Sequence, residues 1–169
     1  MPLPKITIVT PSFNSARYLE ATLRSVLDQQ YPSLEYLLFD GGSTDTTREI
    51  LDRYSSQVHW RSERDDGQSH AINKGLQAAT GDICAWINSN DLLLPGSLLI
   101  VGRYFAEHPE VDLVFGNAVL VGEEGEPLGN YEEVGPVAQV AEHMKALNHV
   151  PQGHYDHLLN DHAGWIPQQ

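Results

Sequence analysis

The sequence predicts an α/β fold, a mainly parallel sheet flanked by helices on both faces. Two observations carry this prediction. Short β-rich runs alternate with segments of helical period through about the first 120 residues, the pattern of βαβ units. Polar clusters follow three of those runs, at the carboxyl ends of strands where such sheets bind ligands. The clusters are Pro11-Ser12-Phe13-Asn14, Asp40-Gly41-Gly42-Ser43 and Asn88-Ser89-Asn90-Asp91.

Ile6-Thr7-Ile8-Val9-Thr10 is the first strand-like run, and Tyr18, Leu19, Leu23, Val26 and Leu27 then recur at helical spacing up to the break at Pro32. Leu34 to Phe39 is a second strand. A helix is expected from Thr46 to Tyr54, where Thr46-Thr47-Arg48-Glu49 fits a capping box. Val58-His59-Trp60 suggests a third strand. Ala71 to Ala79 reads as a helix with Gly81 as its stop. Ile83 to Ile87 is a fourth strand. Pro95, suited to a first helical turn, opens a helix to about Glu107. Val111 to Phe115 and Ala118 to Val121 look like further strands.

Beyond residue 122 the character changes. Glu123-Glu124-Gly125-Glu126-Pro127 is an acidic turn, and 139–147 suits a short helix. The remainder is polar, expected to be partly disordered, and carries His143, His149, His154, His157 and His162 with Asp156 and Asp161. The His spacings match no zinc signature. No repeat is visible.

With 41% hydrophobic and 20% charged residues, the chain of 169 residues reads as soluble and globular. Its apolar runs are far too short to span a bilayer, and no signal peptide opens it. The single cysteine, Cys84, excludes an internal disulfide framework and reads as a buried thiol. A cytoplasmic location follows from these features, with partners able to place the protein peripherally at a membrane. A net charge of -13 argues against nucleic acid as ligand. It leaves nucleotides open, because backbone N–H groups and a bound cation hold phosphates in acidic proteins.

Taken together the segments resemble family 2 glycosyltransferases, which have the GT-A (Rossmann-like) fold. The matching pieces are Ile8 to Asn14, Asp40-Gly41-Gly42-Ser43-Thr44-Asp45, Ser62 to Ser69, Ala71-Ile72-Asn73-Lys74-Gly75, Thr80-Gly81-Asp82-Ile83, Trp86 to Asp91 and Pro95-Gly96. Each is weak alone, but the set, in this order over residues 5 to about 120, is specific. The resemblance implies a nucleotide-sugar donor, commonly a UDP-sugar, and transfer to a hydroxyl of a sugar or glycan acceptor with inversion at the anomeric carbon. A dinucleotide-binding Rossmann enzyme is disfavoured, since no GxGxxG opens the first helix.

The implied donor-binding set is Pro11, Ser12, Asn14, Asp40, Gly41, Gly42, Asp66, Gln68, Asn88, Asn90 and Asp91. Pro11 and Ser12 end the first strand, where backbone groups can pin a base or ribose. Asp40 suits a uracil N–H, since an ionised carboxylate only accepts; a turn role is the alternative. Gly41 and Gly42 let the backbone turn sharply beside a ligand. Asp45 is read either as a site residue or as a helix-start residue. Asp66 and Gln68 are candidate nucleotide contacts, with Asp66 alternatively a helix cap. Lys74 could reach a phosphate or lie on a solvated face, and His70 is expected to be exposed rather than catalytic.

In the family the segment at Asn88 to Asp91 carries a DxD-type acidic motif that binds ribose and the divalent cation bridging the diphosphate. Here both motif positions are amides, Asn88 and Asn90, and Asp91 is the remaining acid. Asp91 and Asn90 are therefore the candidate ligands for Mg2+ or Mn2+, weakened by the missing charge at Asn90. Weak metal binding, an impaired site that only binds, and metal-independent action all remain open.

Inverting transfer also needs a general base. The resemblance places it beyond a Pro-Gln-Gln-like segment, where Ile166-Pro167-Gln168-Gln169 stands. Residues 1–122 are accordingly expected to form the donor-binding domain. Residues 123–169 are expected to begin an incomplete acceptor-side region, with the base supplied from a longer product or a partner. Asp156 and Asp161 are possible substitutes. The alternative function is a non-catalytic nucleotide-sugar binding module.

Overall fold

The computed structural model of the chain describes residues 2–116, 118–122, 127–130 and 164–167. The acidic turn at 123–126, the helix expected over 139–147, and His143, His149, His154, His157, His162, Asp156 and Asp161 lie outside the described residues.

The strands are β1 (Ile6–Ser12), β2 (Leu34–Asp40), β3 (His59–Ser62), β4 (Ile83–Trp86), β5 (Val119–Val121), β6 (Pro127–Asn130) and β7 (Gly164–Pro167). The helices are α1 (Leu19–Leu27), α2 (Thr47–Arg53), α3 (Gln68–Ala78) and α4 (Ser97–Glu107). The main sheet has the order β3-β2-β1-β4-β7. Its first four strands are parallel, and β7 adds antiparallel to β4. Antiparallel β5 and β6 form a separate two-stranded sheet.

Register decides where the strand-end loops meet. Ser12 pairs with Asp40, and Asp40 with Ser62, so three neighbouring strands end in one row. β4 runs beside β1 in the same direction and delivers Asn88 to Asp91 to the same edge.

β1 is buried along all seven residues, as befits a central strand covered on both faces. Its side chains alternate between two unequal sides. Ile6 and Ile8 enter the main core with Tyr36 and Leu38 of β2, Leu19, Leu23 and Val26 of α1, Ile50 and Leu51 of α2, and Leu98, Val101 and Phe105 of α4. On the other side Val9 meets α3 at Gly75. A Cβ on Gly75 would lie 2.2 Å from Val9 Cγ1, so only glycine lets α3 lie this close.

Several local expectations need correction. Thr46 makes no side-chain capping bond. Asp45 caps α2 instead, its Oδ1 accepting from Thr47 N at 3.0 Å. Gly81 does not stop α3, which ends at Ala78 with Ala79 extended. Gly81 is needed because its backbone crosses β1, where a Cβ would come 2.6 Å from Thr7 Oγ1. Pro95 lies ahead of α4, whose N-cap is Gly96 in the left-handed region at φ 89°. Val111 to Phe115 forms no full strand; Val111 and Val114 are buried as anchors for the chain leaving α4. Among the described residues no helix is long and apolar enough to cross a membrane.

At the amino end of the sheet, away from the strand-end loops, Glu35 ties three segments together. Its carboxylate accepts from Thr7 Oγ1 at 2.6 Å, Thr80 N at 2.8 Å, Thr80 Oγ1 at 2.6 Å and Lys5 Nζ at 3.0 Å. Burial alone would raise this carboxyl, but the hydrogen bonds outweigh it and bring it down from 4.5 to about 2. A pKa lower in the folded than in the unfolded state contributes stability above the unfolded value and loses it on acidification. The window is thus from about 4.5 down to about 2. Glu35→Gln should cost on the order of 2 kcal/mol at neutral pH. Thermal melts of both proteins should show the gap closing as the pH falls through that window; a gap that persists at pH 2 would contradict the assignment.

Candidate functional site

The ends of β1, β2 and β4 and the start of α3 enclose an open cleft of about 520 Å3. Six of the sequence candidates line it: Pro11, Ser12, Gly41, Gln68, Asn88 and Asn90. Asn14, Asp40, Gly42, Asp66 and Asp91 do not form its wall.

Asp40 is placed differently from the ligand-facing position expected for it. Its residue is 1% exposed, and its carboxylate accepts from Ser43 N at 2.9 Å, from Ser43 Oγ, and from Ser62 Oγ at 2.6 Å. It shapes the loop behind the cleft rather than the cleft surface. Gly42 supplies the left-handed residue of that loop, at φ 85°.

Asn14 joins the first loop to the second. Its backbone N donates to Ser43 Oγ at 2.7 Å, and its Oδ1 accepts from Thr44 N at 2.9 Å. It does so with φ at 49°, a conformation asparagine tolerates better than most residues. Asp45 completes the seam, its Oδ2 accepting from Ala16 N at 3.1 Å. Burial would raise this carboxyl, but the bonds from Thr47 and Ala16 prevail and lower it. Of the two readings of Asp45, the structure shows the helix-start one.

The β3–α3 loop also differs from expectation. The Asp66 side chain is 95% exposed and pairs with His70 at 3.3 Å; it neither lines the cleft nor caps α3. Its neighbour Asp65 faces inward. Asp65 Oδ1 accepts from Gly67 N at 2.9 Å, and a Cβ on Gly41 would lie 3.1 Å from the Asp65 carboxylate. The physical reason is an Asx turn, in which an Asp binds the backbone two residues on. The Asp-Asp-Gly sequence offered that signal, with the first Asp as the turn residue. Lys74 does not line the cleft, and its Nζ pairs with Glu63 at 2.8 Å.

Phe13 and Arg64 were also not among the sequence candidates, yet both line the cleft. Phe13 is 61% exposed. A large apolar side chain held open beside a polar cleft is the signal that could have found it. Ser12 Oγ, in the wall, is buried and has no hydrogen-bond partner among the described residues.

At the end of β4 three side chains form a chain of hydrogen bonds. Gln68 Nε2 donates to Asn88 Oδ1, and Asn88 Nδ2 donates to Asp91 Oδ2 at 2.9 Å. The loop is closed by Asp91 N donating to Asn88 O at 3.1 Å. Among the described residues no three or more His, Cys, Asp or Glu gather as a self-sufficient metal cage. The oxygens of Asp91 and Asn90 suit a hard cation that takes its remaining ligands from a phosphate, the usual way Mg2+ is held. Asn90 lines the cleft and Asp91, its neighbour in sequence, does not, so these two oxygens make no metal site by themselves, and a cation there would need its further ligands from a phosphate.

The chain matches the model described as glycosyl transferase family 2 over residues 7–158. It belongs to that family. It is 39% identical over 92 residues to Bacillus subtilis TuaG, a glycosyltransferase named for teichuronic acid biosynthesis, covering 52% of this chain and 36% of the relative. It is 32% identical over 125 residues to a PGL/p-HBAD biosynthesis glycosyltransferase of Mycobacterium bovis, covering 71% of this chain and 49% of the relative. The match thus spans between about a third and a half of the length of these curated relatives.

Among solved structures, the mannosyltransferase PcManGT of Pyrobaculum calidifontis, in complex with GDP-Man and Mn2+, superposes with a TM-score of 0.62 at 27% identity. That match covers 69% of this chain and 36% of PcManGT. TarS 1–349 of S. aureus with UDP-GlcNAc superposes at 0.61 with 24% identity, over 68% of this chain and 35% of TarS, a likeness of fold. The described sheet and helices are those of the GT-A fold.

Asp40→Ala should leave three donors unpaired behind the cleft and cost at least about 2 kcal/mol in urea denaturation. Full stability of this variant combined with lost ligand binding would place Asp40 on the ligand instead.

Proposed function

We propose that this chain carries the donor site of an inverting glycosyltransferase that moves a sugar from a nucleotide-sugar, a UDP-sugar in the first instance, to an acceptor hydroxyl in glycan or polysaccharide synthesis. The observation that carries this reading is the meeting of three strand-end loops and the α3 amino end around one cleft in a family 2 chain. Its volume is in the range of ligand sites. Phe13 at the cleft offers a flat face on which a base can stack. GDP-Man in PcManGT and UDP-GlcNAc in TarS support a sugar nucleotide while differing in base.

In the proposed reaction the acceptor oxygen bonds to the anomeric carbon from the face opposite the leaving group. The bond from that carbon to the terminal phosphate oxygen breaks, and its electron pair leaves with the nucleoside diphosphate. The acceptor proton passes to a general base, which this proposal puts outside the described residues. Asp91, with Asn90, would hold Mg2+ or Mn2+ against the diphosphate, and the cation would offset charge on the leaving group. Residues 1–122 are proposed as the donor-binding unit and 123–169 as an acceptor-side region, of which 164–167 return to the donor sheet as β7.

One observation favours a second reading. Asn90, exposed in the cleft, brings no charge to the metal end, which suits a module that binds a sugar nucleotide without turning it over.

Calorimetry with UDP-, GDP- and dTDP-sugars, with and without Mn2+ and with NADH as control, tests the donor reading. One sugar nucleotide should bind more tightly with Mn2+, and Asn90→Asp should tighten that metal-dependent binding further. Identical affinities with and without Mn2+ in both proteins would remove the metal role, and binding of NADH alone would remove the donor reading. Donor hydrolysis or transfer separates the enzyme from the module.

A further inference from the structure

We propose that Gln68 is a positioning residue for the metal-end carboxylate, acting on Asp91 through Asn88. The inference rests on the donor-site reading above and adds to it a role that no direct nucleotide contact requires. Its basis is the polarity of the hydrogen-bond chain. An ionised carboxylate only accepts, so Asn88 has to turn its Nδ2 toward Asp91. That leaves Asn88 Oδ1 facing the other way, where only a donor can meet it. Gln68 supplies that donor through Nε2. The carboxylate thus dictates the direction of every bond in the chain, and Gln68 locks the Asn88 amide against the flipped orientation that would set oxygen against oxygen.

The chain also joins two elements that the fold brings together only at the cleft. Gln68 is the first residue of α3, directly after Gly67, which is left-handed at φ 104° and tied by Asp65. Asn88 and Asp91 follow β4. The other Asp91 oxygen, Oδ1, accepts no hydrogen bond among the described residues, so the relay occupies one oxygen and leaves its partner for a cation. With Asn90 uncharged, Asp91 is the one carboxylate in the segment from Asn88 to Asp91. Orientation of the one at Asp91 then decides how much metal is needed. Partners that orient a metal ligand typically change metal affinity by about ten- to a hundredfold when removed.

The test uses the full chain, Mn2+, and UDP, GDP and dTDP as probes. Gln68→Met keeps length and helical preference but removes the donor. It should raise the Mn2+ concentration needed for half-maximal nucleotide binding about tenfold, a larger factor than any change it makes to affinity in EDTA. Asn88→Ala should raise it at least as much, and adding Gln68→Met to Asn88→Ala should change nothing more. An unchanged Mn2+ requirement in Gln68→Met overturns the proposal, as do additive effects in the double variant. Equal weakening with and without Mn2+ makes Gln68 a direct nucleotide contact and overturns it too. If the wild-type chain binds none of UDP, GDP and dTDP, the donor-site reading falls and this role with it, an outcome distinct from metal-dependent binding that ignores Gln68.

Discussion

The buried carboxylate of Asp40 is the interaction on which the cleft depends. It sits where β1, β2 and β3 end in one row, and burying it is costly unless its oxygens are filled. Ser62 fills one side from β3, and Ser43 fills the other with both its backbone N–H and its hydroxyl. Because the Ser43 hydroxyl spends its proton on Asp40, its lone pairs are available to the Asn14 N–H. Asn14 in turn accepts from Thr44 N. One carboxylate thereby sets the direction of a bonded circuit through three loops. The cleft wall is shaped by groups that do not line it.

Much of this was legible in the sequence, and the limits of legibility have physical causes. Alternating periods gave the parallel strands and their helices because burial on both faces of β1 forces those patterns on the chain. Polar clusters at strand ends located the cleft, since register converts separate segments into one edge. Which side chain of a cluster faces inward depended on loop dihedrals, which carry no periodicity. The sequence does not show that an Asx turn selects Asp65 over Asp66, or that loop donors enclose Asp40, whose ligand and turn roles read alike in the sequence. Lys74 was ambiguous because its partner Glu63 comes from a different element. Phe13 is silent in the sequence because a lone aromatic is informative only once its exposure is known.

The glycines show how packing and function are separated along the chain. Gly75 and Gly81 serve close approach to β1, at Val9 and Thr7 respectively, and have nothing to do with the cleft. Gly42 and Gly67 serve backbone conformation at the loops that frame it. The same residue type therefore marks the rigid scaffold in one place and the shaped opening in another. Glu35 performs the matching task at the far end of the sheet, so polar bonds tie β1 to β2 there, through Thr7, and tie the loops that follow them at the cleft, through Asn14 and Ser43.

The pairing of β7 with β4 has a consequence for the order in which the molecule assembles. β4 pairs with β1 across a gap in sequence (Ile6 with Ile83) about as long as the one to β7 (Trp86 with Gly164), so loop-closure entropy does not separate the two pairings. Chain order does separate them: β1 to β4 all precede residues 164–167, so β7 is the late arrival. During synthesis β4 emerges from the ribosome long before its outer neighbour exists. Its Ile83-Cys84-Ala85-Trp86 backbone is then an open, apolar sheet edge, the kind of template on which nascent chains pair wrongly. The last strand to join closes this edge, making nascent-chain solubility sensitive to how promptly residues 164–167 follow.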